Sequence, residues 1–172
     1  MNSESWIALA EVSRAHGVRG ELRLRVFNDD SSVLLDVDEV LVRKKSGEEH
    51  EVSVDGARRA NDAILMKLYS VDDRDRADEL RGAHICVRRK DFPKLSDGEF
   101  YVCDIEGAPV LLAGEAFGKV VTLREYPSIA ALVVKRATDG KEIEVPLVGN
   151  YVDEVDADAP VVKLSSIDGL EL

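Results

Sequence analysis

The sequence is poor in cysteine, and its two cysteines are far apart. Cys86 and Cys103 are separated by seventeen positions and lie outside any C-x-x-C pattern. A disulfide framework or a thiolate metal site needs more cysteines or tighter spacing. We therefore predict two free thiols, buried or half-buried, no metal site and a reducing, cytoplasmic compartment.

Long hydrophobic runs are also missing. Residues Met1 to Trp6 contain neither a basic stretch nor an apolar run of signal-peptide length. No uninterrupted apolar segment approaches the ~20 residues that a membrane helix needs. Hydrophobic residues make up 45% of the chain and charged residues 33%, which is typical of an ordered globular protein. The sequence predicts a soluble protein with no membrane partner.

Catalytic patterns are lacking too. There is no G-x-x-x-x-G-K-[ST], G-x-S-x-G or H-E-x-x-H motif. His16 lies in a glycine-flanked loop and could serve as a general base, whereas His50 and His84 fall in strand-like segments without a second ligand at metal spacing. We favour packing or loop hydrogen bonds for all three, and predict a protein that is not an enzyme and needs no cofactor.

The chain lacks a net positive charge, and its negative charge is unevenly distributed. Its formal net charge is −11. Residues 1–95 hold 17 Lys and Arg against 19 Asp and Glu, a balance of −2, whereas residues 96–172 hold 6 against 15, a balance of −9. The second half should therefore attract basic partners and repel naked nucleic acid.

The periodicity that is present is mainly the two-residue period of strands. In Glu21 to Phe27, apolar residues alternate with charged ones, and the preceding His16 to Gly20 supplies two glycines for a turn. Asp139-Gly140 is typical of a two-residue hairpin. Further strands are predicted at residues 6–12, 39–43, 50–54, 63–68, 84–88, 118–123, 131–136, 142–146, 151–155 and 161–164.

Helical signals are few. Asp72 is predicted to cap one short helix near residues 73–81, with Ala77 and Leu80 facing inward and Gly82 at its end. Ser31 to Val37 could form a short helical turn. The proline- and glycine-containing segment 91–98 is predicted to be a linker between domains at 1–90 and 99–172. The fold class is therefore mainly all-β, with two small β-barrels.

Three segments, in order and at family spacing, resemble the bacterial ribosome maturation factor RimM family. They are the A-H-G-V-R-G-E stretch at 15–21, the G-E-F-Y-V-C-D-I-E-G stretch at 98–107, and the V-P-L-V segment at 145–148 with the following Val152, Val155 and Asp156. The sequence departs from the family pattern at Glu106, where an apolar residue is usual, so the local surface should differ there.

The resemblance implies an N-terminal barrel similar to that of translation factors and a C-terminal PRC-type barrel. It also implies binding to the free 30S subunit and promotion of 16S rRNA processing and head maturation. The second domain would contact a basic head protein, the nineteenth of the small-subunit set, through Phe100 and Tyr101. We expect the factor to be a monomer.

Physical reasoning leaves alternatives open at these residues. Adjacent strand residues point to opposite faces, so either a turn exposes both rings of Phe100 and Tyr101 or one ring is core; we expect Tyr101 to be the exposed one. Arg19, Arg23 and Arg25, with Arg14 nearby, either contact rRNA phosphate or form an ordinary solvated face. For His16, Gly17 and Gly20 we predict a structural turn. Rival functions are a direct RNA-binding barrel, a small enzyme using His16, and a PRC-type adaptor for another basic protein.

Overall fold

The computed structural model describes residues 4–28, 32–96 and 99–170. The chain divides into two compact units, Asn2–Lys94 and Leu95–Leu172. Each unit is built around its own β-sheet, and short helices account for little of the described chain. The mainly β fold expected from the two-residue periodicity is confirmed.

The first unit is a closed barrel of six strands. Pairing runs around it in the order β1-β2-β5-β4-β3-β6, and every pairing is antiparallel. Closure leaves no free sheet edge among the described strands of this unit. The strands are β1 (Trp6–His16), β2 (Glu21–Val26), β3 (Glu39–Arg43), β4 (Glu49–Ala60), β5 (Ala63–Leu68) and β6 (His84–Arg88).

Alternation along β2 and β5 separates the barrel core from its outer face. Leu22 and Leu24 are fully buried, as the period-two pattern predicts, and they lie opposite Met66 and Ile64. Arg23, which lies between the two leucines, and Arg25, which follows Leu24, point to the outer face of the barrel. Because each buried Leu, Ile or Met contributes about 1.5–3 kcal/mol, this interior is the main source of stability in the unit.

The short helices of this unit are α1 (Val33–Asp36) and α2 (Arg74–Glu79). α1 lies within the segment for which a helical turn was considered, although Ser31 is outside the described residues. The predicted cap of α2 was wrong by one residue. Asp73, which has an extended backbone, accepts a hydrogen bond from the Arg76 amide at 2.9 Å, whereas Asp72 pairs with Lys67.

The predicted linker, residues 91–98, overlaps the end of the first unit. Phe92 is buried, and the Arg89 guanidinium lies 5.2 Å from its ring centroid. The first unit continues to Lys94. Asp97 and Gly98, the last part of the predicted linker, lie outside the described residues.

The second unit is a six-stranded sheet in the order β10-β9-β8-β7-β12-β11. β7 and β12 are parallel, and the other pairs are antiparallel. The elements are α3 (Val102–Ile105), β7 (Pro109–Leu112), β8 (Glu115–Tyr126), β9 (Ile129–Arg136), β10 (Glu142–Pro146), β11 (Val152–Asp156) and β12 (Val161–Leu164). All six strands contribute to one core, which includes Val110, Val120, Leu132, Val145, Val152 and Val162.

The hairpin between β9 and β10 is longer than predicted. Asp139-Gly140 does not form a two-residue turn, because the Arg136 amide donates to the Lys141 carbonyl at 2.9 Å and leaves residues 137–140 as the loop. The Asp139 carboxylate accepts from the Lys141 amide and from Arg136, each at 3.1 Å. These bonds favour a four-residue loop, with Gly140 at φ +71°.

Candidate functional site

The turn between β1 and β2 depends on two glycines with positive φ. Gly17 has φ +65° and Gly20 has φ +76°. A Cβ atom on Gly20 would lie 2.2 Å from the Val71 carbonyl oxygen, whereas one on Gly17 would meet nothing within 4 Å. Gly20 therefore allows the turn to pack directly against the segment that precedes α2, while Val18 at the tip is 75% exposed.

His16 ends β1 beside a carboxylate and not beside a nucleophile. It lies opposite Glu21 at the first pair of the β1–β2 ladder. The pKa of Glu21 is held below its ordinary value, first by a hydrogen bond from Arg58, and also by the charges of Arg58, His16 and Lys67 against the opposing effect of burial. His16 therefore lies at the end of a strand next to the ion pair of Glu21 and Arg58.

Three arginines of the first unit, Arg14, Arg23 and Arg58, form a row across the outer face of the barrel, which we call the arginine row. Arg14 lies directly opposite Arg23, which lies opposite Leu65, which in turn lies opposite Arg58. Leu65 is only 3% exposed although its side chain points outward. Long side chains such as those of arginine can cover a neighbouring apolar residue with their stems while they keep their charged heads in water.

Carboxylates balance several of these arginines but not all of them. Arg23 pairs with Asp62 at 2.6 Å, and Arg25 pairs with Glu11 at 3.2 Å. Such exposed ion pairs contribute little to stability, so their guanidinium groups can exchange partners at low cost. Among the described residues, no hydrogen bond or ion pair is formed by the side chains of Arg14 or Arg19.

A shallow groove adjoins this arginine row. It has a volume of about 480 Å³ and is lined by Arg19, Glu21, Asp55, Gly56, Ala57, Arg58 and Lys67. The sequence indicated Arg19 and Arg23 but not Arg58, which is distant along the chain. Only the pairing of β4 with β5 brings Arg58 to this face, and no local pattern encodes that pairing.

Phe100 and Tyr101, the residues singled out in the second unit, differ in their surroundings. Phe100 is half-buried and packs against the core of the unit. Tyr101 is the residue immediately before α3; it is half-buried and is not among the residues packed against that core. The chain here is neither a strand nor a turn that exposes both rings.

Glu106, the departure from the family pattern, lies at the exposed end of α3. Its carboxylate accepts a long hydrogen bond of 3.4 Å from the Thr122 hydroxyl on β8. An acidic group at this position adds negative charge close to the segment that begins with Phe100. That this surface differs from that of the family stays a prediction, and the sequence did not indicate Thr122 as the partner of Glu106.

Neither cysteine is part of a cluster. Cys86 is buried and Cys103 half-buried, and neither forms a disulfide within the described residues. Burial raises the pKa of the Cys86 thiol. In the part of the chain that the structure describes, no three His, Cys, Asp or Glu side chains are arranged to hold a metal ion. No helix within residues 4–28, 32–96 and 99–170 is long and apolar enough to span a bilayer.

Comparison with known proteins places these features in a family. Residues 7–92 match the model of the RimM N-terminal domain. A ribosome maturation factor RimM from Sorangium cellulosum is 42% identical over 166 residues, covering 96% of this chain and 97% of its own. The protein of that name from Corynebacterium glutamicum is 34% identical over 170 residues, covering 99% and 98%.

A solved structure is also similar. The crystal structure from Pseudomonas aeruginosa, described as a 16S ribosomal RNA processing protein RimM, is 25% identical, with a TM-score of 0.48, and the match covers 95% of this chain and 98% of that one. The similarity to the sequence relatives extends over both units and not only over the N-terminal domain. The chain therefore belongs to the RimM family.

Proposed function

We propose that this protein is a ribosome maturation factor that binds the free 30S subunit in the cytoplasm and promotes 16S rRNA processing and maturation of the subunit head. The observation that carries the proposal is the similarity to ribosome maturation factors along nearly the whole chain. The factor acts by binding and not by catalysis, without a cofactor and as a monomer. The first unit is its translation-factor-like barrel, and residues 99–172 are its PRC-type domain.

The second unit supplies the contact with the basic head protein, the nineteenth of the small subunit. Its balance of 6 Lys and Arg against 15 Asp and Glu suits a basic protein and disfavours rRNA. Tyr101 is the stronger candidate of the aromatic pair, since Phe100 packs against the core of the unit and Tyr101 is not among the residues packed there. Phe100 acts indirectly, by fixing the position at which Tyr101 meets the partner.

Co-sedimentation with purified 30S and 70S particles tests the proposal. The wild-type chain should pellet with 30S subunits and remain in the supernatant with 70S ribosomes. Tyr101→Ala should weaken 30S binding, whereas Tyr69→Ala, at a 64% exposed tyrosine of the first unit, should not. Equal binding to both particles, or no binding to either, would contradict the proposal.

A second candidate function, direct contact with rRNA, is supported by the arginine row. Like charges directly opposite each other in a sheet are destabilising, and Arg14 faces Arg23 in this position. A phosphate between them would relieve the repulsion. Arg19, Arg23 and Arg25 were the candidates from the sequence, and Arg14 and Arg58 extend that set across β1, β2 and β4.

The salt dependence of RNA binding distinguishes this candidate from an ordinary solvated face. With a 16S rRNA fragment of the head, removal of one phosphate contact should lower the slope of log affinity against log salt by about 1. Arg14→Gln and Arg58→Gln should each show this change, and Arg74→Gln, on exposed α2, should not. An unchanged slope for both test variants would refute the contact.

A further inference from the structure

The outer face of the β8–β9–β10 sheet carries an apolar strip. Leu132 and Val134 on β9 point into the core of the second unit. The alternating residues Ile129, Ala131 and Val133 therefore point to the opposite, outer face. Val133 lies opposite Glu144 on β10, and Ala131 lies opposite Pro146.

A polar bridge covers the middle of this strip. Arg124 on β8 lies opposite Ala131 and pairs with Glu144 on β10, so the ion pair crosses over β9. Ala131 and Val133 beneath it are 4% and 1% exposed. The ion pair therefore spans the part of the outer face at which these two buried residues lie.

The strip emerges into solvent at the tip of the β8–β9 hairpin. Tyr126 and Ile129 form the last cross-strand pair and are 47% and 36% exposed. Val148, 39% exposed, comes from the neighbouring loop, where the Leu147 amide donates to the Ala130 carbonyl at 2.8 Å. We call Tyr126, Ile129 and Val148 the hairpin patch. Among the described residues of the second unit, it contains three of the five exposed large hydrophobic residues, the other two being Leu95 and Val121.

The ring of Tyr126 is held in position. Its hydroxyl donates to the second oxygen of Glu144 at 2.5 Å. The hydrogen bond to that carboxylate raises the pKa of Tyr126, so the hydroxyl stays protonated and the bond persists through the neutral range. A fixed aromatic ring loses little conformational entropy when a partner covers it.

The charge around the hairpin patch indicates which partner would cover it. The unit has 15 Asp and Glu against 6 Lys and Arg. Glu125 is exposed and forms no ion pair with any residue in the described ranges, but alternation places it on the opposite face of β8 from Tyr126. An acidic unit favours a cationic partner, whose cation can lie over the Tyr126 ring face while its aliphatic stem contacts Ile129 and Val148. The same charges repel nucleic acid.

We propose that the hairpin patch is a docking surface for a lysine- or arginine-rich segment of a basic protein, with the Tyr126 ring as its cation-accepting anchor. The assignment rests on the proposed function, because the basic partner is then a protein of the 30S subunit. It is a contact additional to the Phe100–Tyr101 segment and involves different residues. Tyr is among the residues most enriched at interface positions that dominate binding.

The test measures the affinity of the full-length chain for purified 30S subunits by biolayer interferometry. Tyr126→Ala should weaken binding by about tenfold or more, the effect of losing a dominant interface residue. Tyr126→Phe, which keeps the ring, should stay within about threefold of the wild type. Tyr69→Ala, which removes an exposed tyrosine from the first unit, is the matched control, and thermal unfolding checks that every variant is folded.

The outcomes separate this inference from the proposed function. If the wild-type chain binds 30S subunits and folded Tyr126→Ala binds equally well, the docking surface is refuted while the maturation role stands. If Tyr126→Phe loses as much affinity as Tyr126→Ala, the ring is not the anchor and the inference is refuted. If the wild type fails to bind 30S subunits at all, both the docking surface and the proposed function are refuted. Retained binding by Tyr126→Phe together with loss by Tyr126→Ala supports the docking surface.

Discussion

At the scale of single residues, Gly17 and Gly20 occupy the same turn but tolerate substitution differently. Gly20→Ala should lower the free energy of unfolding of the first unit by about 2–4 kcal/mol, because it adds a backbone clash to a positive φ. Gly17→Ala should cost only about 1 kcal/mol, since its φ of +65° is unfavourable but its surroundings are open.

The single tryptophan makes this comparison measurable. Trp6 lies in β1, with the Arg88 guanidinium 4.6 Å from its ring centroid. Its fluorescence during urea unfolding therefore reports on the first unit alone. If Gly17→Ala and Gly20→Ala destabilise the first unit equally, the close contact between Gly20 and the Val71 carbonyl does not set the cost of substitution, and the prediction is wrong.

The ion pair of Glu21 and Arg58 predicts a pH effect. The pKa of folded Glu21 lies below its ordinary value of 4.5, chiefly because of the hydrogen bond from Arg58. The pair therefore contributes its stability above pH 4.5 and loses it as the pH falls through the lowered pKa. Carboxyl NMR titration should show a higher Glu21 midpoint in Arg58→Gln than in the wild type. Matching midpoints would disprove the pairing.

Residue-level predictions from sequence succeeded where the cause was local. The alternation of Leu22, Arg23 and Leu24 placed the arginine on the outer face, as the structure shows. Arg58 was missed because its neighbours on the outer face belong to strands distant in sequence. Whether a cation has a partner, as Arg23 does in Asp62, depends likewise on strand order, which a single sequence does not encode.

At the scale of elements, the start of α2 predicts an asymmetry between two adjacent aspartates. Asp73→Ala should destabilise the first unit by about 1 kcal/mol, because its side chain caps the Arg76 amide. Asp72→Ala should cost a few tenths at most, since it loses only an exposed ion pair with Lys67. Urea unfolding followed by Trp6 fluorescence measures both, and the opposite order would contradict the assigned cap.

The elements missed by sequence reasoning are short ones. β7, Pro109–Leu112, and α3, Val102–Ile105, have four residues each, too few to establish a period. β7 is also paired in parallel with β12, more than forty positions along the chain. Tertiary context defines such an element, and with it the surroundings of Tyr101.

At the scale of the whole molecule, the division of charge matches the division of structure. The change in charge balance near residue 95 coincides with the boundary between the two compact units. The sequence alone could predict that one unit is acidic and that the other carries a local cluster of arginines. It could not indicate where each unit presents its exposed side chains, because this depends on the closure of the first sheet and on the strand order of the second.

The central claim, a role in maturation of the small subunit, is tested most directly in cells depleted of this protein. Primer extension on 16S rRNA measures the fraction of immature 5′ ends. We expect immature ends and free 30S subunits to increase on depletion, and both to return to normal on expression of the wild-type chain. Unchanged 16S processing and unchanged subunit profiles in depleted cells would contradict the account.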